Sequence, residues 1–197
     1  MLAKRFFDFI VSGLGILILS PLFLILSLWI VKDDGLPVFF IQSRVGLNGK
    51  IFGLYKFRSM FKNAESVGQL TVGNRDPRIT RSGYWLRKYK LDELPQLINV
   101  FQGTMSLVGP RPEVSRYVKL YNTQQGLVLS VKPGITDLAS IEFSNENEIL
   151  STYSDPEKAY IEELMPKKLD LNLDYIKRQS FFFDLKLILH TVYKIIK

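Results

Sequence analysis

The densest run of residues able to do chemistry lies between Arg87 and Glu113, RKYKLDELPQLINVFQGTMSLVGPRPE. Asp92 and Glu93 are adjacent, and Pro95 follows shortly after. Proline is tolerated in a helix only in the first turn, where its missing N–H costs nothing. That spacing predicts Asp92 close to a helix N-cap and Glu93 in the first turn, held by free backbone N–H groups and the positive helix end. Such an aspartate is expected to stay ionised and fixed in direction, which suits a nucleophile attacking phosphorus. Taken alone, Asp92 also reads as a plain helix cap.

The surrounding cations argue for more. Arg87, Lys88 and Lys90 precede the pair, and Arg111 stands between Pro110 and Pro112. Two prolines stiffen that backbone and pre-aim a guanidinium, the side chain best matched to bidentate phosphate contacts. Lys56 and Arg58 lie in YKFRSM, at the end of a predicted strand. Each cation singly reads as a solvated surface charge. Together, a carboxylate pair among rigidly presented cations reads as a diphosphate–metal site. Its Mg²⁺ would be held by one or two carboxylates plus substrate phosphates.

Composition narrows the chemistry further. The 197 residues contain no cysteine and one histidine, His190. Disulfide frameworks, zinc ribbons and thiol nucleophiles are excluded, and multi-His metal sites and Ser-His-Asp triads have almost no material. A net charge of +7 points to an anionic partner: nucleic acid, anionic lipid or a phosphorylated small molecule.

The elements that must position this cluster begin with an apolar N-terminus. Phe9 to Val31 carries no charge and is long enough to cross a bilayer core. One reading is a straight single-span anchor. Two features favour a helix that enters the bilayer and returns. Pro21 sits mid-run, with Ser20 able to hydrogen-bond the carbonyl that proline leaves free. Lys4 and Arg5 before the run and Lys32 after it give neither end a preference for export. Segments 38–44 and 50–57 read as a β-hairpin turning at Asn48–Gly49. Residues 61–80 read as an exposed loop, 82–90 and 94–101 as helices, the latter ending at Gly103. Glu113–Gln125 reads as a further helix, Val131–Glu142 as extended after a Pro-Gly turn, and 155–176 as helix interrupted at Pro166. Phe181–Ile196 is amphipathic, with Lys186, His190 and Lys194 on one face, suited either to an anionic interface or to ordinary packing. The fold class is α+β, mainly helical with a short β-hairpin, divided into a membrane helix (1–32) and a catalytic domain (33–197).

These segments resemble the small monotopic bacterial phosphoglycosyl transferases, the bacterial sugar transferase family. The matching residues are Ser20–Pro21, QSRVG at 42–46, YKFRSM at 55–60, DPRIT at 76–80, the long segment 86–113, PGIT at 133–136 and FFFDLKLIL at 181–189. The resemblance implies a monotopic protein with a re-entrant helix and interfacial amphipathic helices, on the cytoplasmic face of the bacterial inner membrane. It implies transfer of a sugar 1-phosphate from a UDP-sugar to polyprenyl (undecaprenyl) phosphate with release of UMP, the first membrane step of glycan assembly. It further implies Asp92 as covalent nucleophile and Glu93 as a Mg²⁺ ligand. Lys56 and Arg87 would belong to the polar site, Arg111 would bind phosphate, and Ser20–Pro21 would shape the re-entrant helix. Partners are then the donor, the lipid acceptor and the bilayer, with no nucleic acid and with homo-oligomerisation left open. One departure stands out. Many relatives carry an arginine about ten residues after PGIT, but Ile135 through Tyr153 contains no basic residue here and Ser144 lies near that place. The competing readings are a membrane-anchored basic protein binding lipid or nucleic acid, and an aspartyl-phosphate phosphohydrolase.

Overall fold

The uncharged N-terminal run forms the middle of one long helix, α1 (Leu2–Asp34). At 1.5 Å per residue it extends about 50 Å. The computed structural model describes residues 2–64, 70, 73 and 76–196. Among these, α1 is the one helix long and apolar enough to cross a membrane. Helical assignment continues through Pro21, so the expected interruption at Ser20–Pro21 is absent from the secondary structure. Its local chemistry is present: Ser20 Oγ donates to Leu17 O at 2.8 Å, the carbonyl left without an N–H by Pro21.

Both ends of α1 dock on the rest of the chain. At the N-terminal end, Lys4 pairs with Asp184 and donates to Val108 O at 2.9 Å. Arg5 donates to Val100 O and Phe101 O, and the buried Asp8 accepts from Ser106 Oγ at 2.8 Å. At the C-terminal end, Leu26 and Ile30 pack with Phe57 and Leu86. There Asp33 accepts from Ser82 N at 2.8 Å, and Asp34 pairs with Arg58 at 3.1 Å. Between these ends the apolar side chains are left outside: Leu17 is 70% and Ile18 73% exposed.

The hairpin forms as expected. Strands β1 (Phe39–Val45) and β2 (Ile51–Phe57) pair antiparallel from Phe39↔Phe57 to Val45↔Ile51. Asn48 and Gly49 supply the positive φ of the turn. Of the loop read over 61–80, residues 65–69, 71–72 and 74–75 lie outside the described residues. Its end is ordered by Arg78, which grips Asp76 and donates to Leu70 O at 2.7 Å.

Helix α2 (Arg81–Lys88) starts at Thr80, whose hydroxyl accepts from Gly83 N. A Cβ on Gly83 would lie 1.9 Å from Ser59 O, so only glycine lets α2 press against the end of the hairpin. Helix α3 (Gln96–Gln102) ends at Gly103 with φ 87°, as the sequence indicates. It is tied to β2 by the buried Asn99, which donates to Gly53 O and accepts from Tyr55 N. Two short strands, β3 (Ser106–Val108) and β4 (Gly134–Thr136), then pair in parallel.

Three stretches differ from expectation. Glu113–Gln125 is helical only over α4 (Ser115–Val118). Beyond it, Asn122 and Gln125 exchange side-chain bonds with each other's backbone N–H, satisfying the chain in a turn. Val131–Glu142 is extended only in β4. Asp137 caps a new helix, α5 (Leu138–Glu142), by accepting from Ser140 N at 2.6 Å. An unanticipated helix, α6 (Glu146–Ser151), follows.

The region 155–176 keeps its helical character: α7 (Pro156–Ala159), a π-turn (Tyr160–Leu164) and α8 (Met165–Arg178) run on without a break. Pro166 falls in the first turn of α8, after the widened π-turn, where its ring is accommodated. Tyr160, Leu164, Met165 and Leu169 form the largest core with Tyr117, Val128 and Leu150. Helix α9 (Phe181–Ile196) closes the chain, with Leu187 packed on Val108 and Tyr175. Its basic stripe divides: Lys186 and His190 face solvent, whereas Lys194 donates to Ile141 O.

Candidate active site

After α2 the chain turns sharply at Lys90, a non-glycine residue with φ 56°, into a 3-10 turn, Leu91–Glu93. Such a conformation is uncommon for a lysine, and here it swings Asp92 and Glu93 toward the body of the protein. Asp92 is not the helix cap the sequence suggests. Pro95 occupies the N-cap position of α3, and nearby N–H groups are already taken. Glu93 N bonds to Lys90 O, Leu94 N to Leu91 O, Leu97 N to Leu94 O and Ile98 N to Pro95 O. The 3-10 turn and the helix start satisfy each other, leaving Asp92 no capping work.

Asp92 is only 5% exposed and accepts no hydrogen bond from the described residues. Burial pushes its carboxyl above the ordinary aspartate value and the neighbouring Glu93 pushes the same way, against Lys56, Arg87 and Lys90. This reverses the expectation of an aspartate stabilised as an anion by a helix end. Glu93 has the opposite surroundings. Burial alone would raise it, but Arg111 and Lys56 hold it well below the usual carboxylate range. Arg111 grips both carboxylate oxygens, with Nη1 3.1 Å from Oε2 and Nη2 on Oε1, and Lys56 Nζ lies 3.3 Å from Oε1. Lys56 is itself shifted downward by burial, with Glu93 opposing.

The structure therefore brings Lys56, Asp92, Glu93 and Arg111 together, with Arg87 close enough to act electrostatically on Asp92. All five line a cleft of about 1460 Å³. Ser20 and Pro21 lie elsewhere, in the exposed middle of α1. The donors suit a hard divalent cation: Asp92 is unengaged by protein, and Glu93 Oε2 receives one bond from Arg111. No group of three or more acidic or histidine ligands occurs among the described residues, so the remaining ligands would have to come from substrate and water.

A family profile for the bacterial sugar transferases matches residues 1–197. The chain belongs to this family. It is 39% identical over its whole length to an uncharacterized sugar transferase, EpsL, of Bacillus subtilis, covering 88% of that protein. It is 38% identical to the UDP-glucose:undecaprenyl-phosphate glucose-1-phosphate transferase of Escherichia coli, over 98% of this chain and 40% of the relative. It is 40% identical to the undecaprenyl-phosphate galactose phosphotransferase of Salmonella typhimurium, over 73% of this chain and 33% of the relative. This bacterial sugar transferase thus spans less than half the length of the two relatives named for their substrates.

Four residues that hold this transferase's site in place were not singled out from sequence. Arg44 of β1 donates to Pro112 O and Glu113 Oε1, both at 3.0 Å, and Glu113 also accepts from the Tyr160 hydroxyl. Asp137 accepts from Arg111 N at 3.0 Å while capping α5. The Pro-Arg-Pro segment is stapled from both sides, so Arg111 is aimed by its neighbours as well as by its prolines. The fourth, Lys168 of α8, pairs with Glu146 at 2.6 Å, and Lys168, Ser144 and Glu146 all line the cleft. Asp137 carried a legible signal, an Asp three residues before Ser140. The others are long-range pairs that no local pattern encodes.

Proposed function

We propose that this chain is a phosphoglycosyl transferase. It moves a sugar 1-phosphate from a UDP-sugar to undecaprenyl phosphate, and Asp92 is the covalent nucleophile. The observation that carries this reading is the Asp92 carboxylate. It is buried, accepts no hydrogen bond from the described residues and stands at the wall of a cleft whose cations include Lys56, Arg87 and Arg111. A carboxylate kept for structure would be capped or paired, as Glu93, Asp137 and Asp184 are.

In the first displacement an Asp92 oxygen attacks the phosphorus bonded to the sugar. The P–O bond to the uridylyl phosphate breaks, and UMP leaves with that electron pair. In the second, a phosphate oxygen of undecaprenyl phosphate attacks the same phosphorus, and Asp92 leaves as carboxylate. Two in-line steps replace one difficult one. Arg111, held by Asp137 below and Glu93 in front, offers fixed positive charge where the diphosphate gains negative charge. Mg²⁺ bound by Glu93, together with substrate phosphates, would neutralise further charge on the leaving group.

The membrane arrangement follows the same reading. Both ends of α1 grip one body through Lys4–Asp184 and Asp34–Arg58, while its apolar middle stays outside. This supports a helix that dips into the bilayer with both ends on the cytoplasmic side of the inner membrane. Cysteines at Leu2 and Lys32 of this cysteine-free chain should then react with an impermeant reagent from the same side; opposite labelling means a span. The activity test is incubation with Mg²⁺, undecaprenyl phosphate and a panel of UDP-sugars. UMP release matched by lipid-linked sugar phosphate is the expected result. UMP release with free sugar phosphate instead would make the protein a hydrolase.

A further inference from the structure

The exposed side of α2 carries four residues outside the cluster of Lys56, Asp92, Glu93 and Arg111. Tyr84, Trp85, Lys88 and Tyr89 follow helical spacing onto one face, opposite the buried Ser82, Gly83 and Leu86. The rings form a ladder: Tyr84 meets Trp85 edge-on at 5.5 Å, and Trp85 lies nearly parallel to Tyr89 at 6.1 Å. Lys88 Nζ sits over both, 5.1 Å from the Trp85 ring and 5.6 Å from that of Tyr89. These rings remain substantially open, Trp85 at 43% and Tyr89 at 53% exposure. Leaving three aromatic rings unburied forgoes a large apolar contribution, so a patch of this kind marks a contact surface.

Its position decides what it contacts. On its buried side α2 rests through Leu86 on Leu26 and Ile30 of α1, whose neighbours Ile25 and Leu28 are open. On the other side Tyr84, Lys88 and Tyr89 line the cleft that holds Asp92, and Arg87 and Lys90 stand beside them. The patch thus sits on a helix braced by the apolar α1, with Tyr84, Lys88 and Tyr89 at the edge of the nucleophile's cleft. A ligand crossing it must be apolar at one end and anionic at the other. Lysine meets a phosphate as a point charge, and ring faces cover hydrocarbon. We infer that the Tyr84–Trp85–Lys88–Tyr89 face of α2 is the surface on which the polyprenyl phosphate acceptor docks on its way to the cleft. Lys88 takes the phosphate and the rings cover the first prenyl units. The inference rests on the proposed acceptor, but it concerns only the second displacement.

That separation gives the test. Trp85→Ala, Lys88→Gln and Lys88→Arg are made in the full chain and assayed in vesicles containing undecaprenyl phosphate. Three quantities are read: sugar-phosphate adduct formed without acceptor, KM for undecaprenyl phosphate, and flotation with acceptor-free vesicles. Trp85→Ala and Lys88→Gln should each raise the acceptor KM by about fivefold or more, with Lys88→Arg closer to wild type. Flotation should not change in any variant, and adduct formation should not change in Trp85→Ala. An unchanged KM overturns the inference. Loss of flotation in step with KM also overturns it and assigns the patch to general membrane contact. Loss of adduct in step with KM assigns it to the donor or to folding. A wild-type protein that forms no adduct and no lipid-linked product contradicts the proposed transfer itself, an outcome visible before any variant is made.

Discussion

The corner around Arg111 and the middle of α1 handle polarity in opposite ways. Around Arg111 the charged groups are largely paired among the described residues. Arg111 has Glu93, Arg44 has Glu113, Glu113 has Tyr160, and Asp137 has both Arg111 and Ser140. Along α1 the charges are confined to the two ends, where Lys4, Arg5, Asp8, Asp33 and Asp34 fasten the helix, and one side of the middle exposes apolar residues such as Leu14, Leu17, Ile18, Leu24 and Ile25. The first region uses burial to fix charge in direction. The second uses charge only as an attachment and leaves its apolar surface for another medium. Asp92 is the carboxylate of this polar corner that accepts no hydrogen bond from the described residues.

Substitutions that break this contrast should do so unequally. Asp92→Asn removes the anionic oxygen while keeping the shape, and transfer should fall by about a thousandfold or more in the UMP-release assay. Lys4→Ala weakens the fastening at one end of α1 and leaves the buried Asp184 without its cation. A stability loss of about 3 kcal/mol in thermal or denaturant unfolding is expected, with membrane attachment retained through the apolar middle. Arg111→Lys keeps the charge but loses the fork that holds both Glu93 oxygens. Turnover should drop about tenfold, equivalent to ~1.4 kcal/mol, and a wild-type rate would reduce Arg111 to scaffolding.

The smallest effect has the opposite sign. Because Asp92 is buried without donors and its carboxyl is pushed upward, its ionised form burdens the fold. For an acid whose folded value is raised, the native state holds its proton more tightly, so stability is lost as pH rises above the ordinary aspartate value. Asp92→Asn should therefore raise stability at neutral pH by about 1 kcal/mol, and the gain should vanish in acid. Glu93 runs the other way: its ion pairs stabilise at neutral pH and fade as pH falls below the ordinary glutamate range. A melting-temperature series from acid to neutral pH on Asp92→Asn and Glu93→Gln separates the two.

What the sequence makes legible follows the range of the interactions involved. The Asn48–Gly49 turn, the Gly103 cap, the apolar run of α1 and the amphipathic α9 are local patterns, and each stands where its residues indicate. The cluster of Lys56, Asp92, Glu93 and Arg111 is also indicated, because unusual residue types gather in two short segments. The environment of Asp92 is not. Its release from capping depends on a bend at Lys90 and on N–H groups claimed by the turn before α3. The shortened α4 and the early start of α5 turn on single side chains, Asn122 and Asp137, competing for backbone groups. The staple of Arg44 to Pro112 and the arrival of Lys168 at Glu146 join residues far apart in the chain, beyond any reading by periodicity.

The most direct measurement is the mass of the protein itself. Purified chain is mixed with Mg²⁺ and each UDP-sugar of a panel, without any lipid acceptor, and UMP and intact mass are followed together. With the matching donor, UMP should appear up to one equivalent while the protein gains the mass of a sugar phosphate. The gain should map to the peptide containing Asp92, disappear in Asp92→Asn and be discharged when undecaprenyl phosphate is added. UMP release that strictly requires acceptor, or an adduct on any other residue, would contradict Asp92 as the nucleophile.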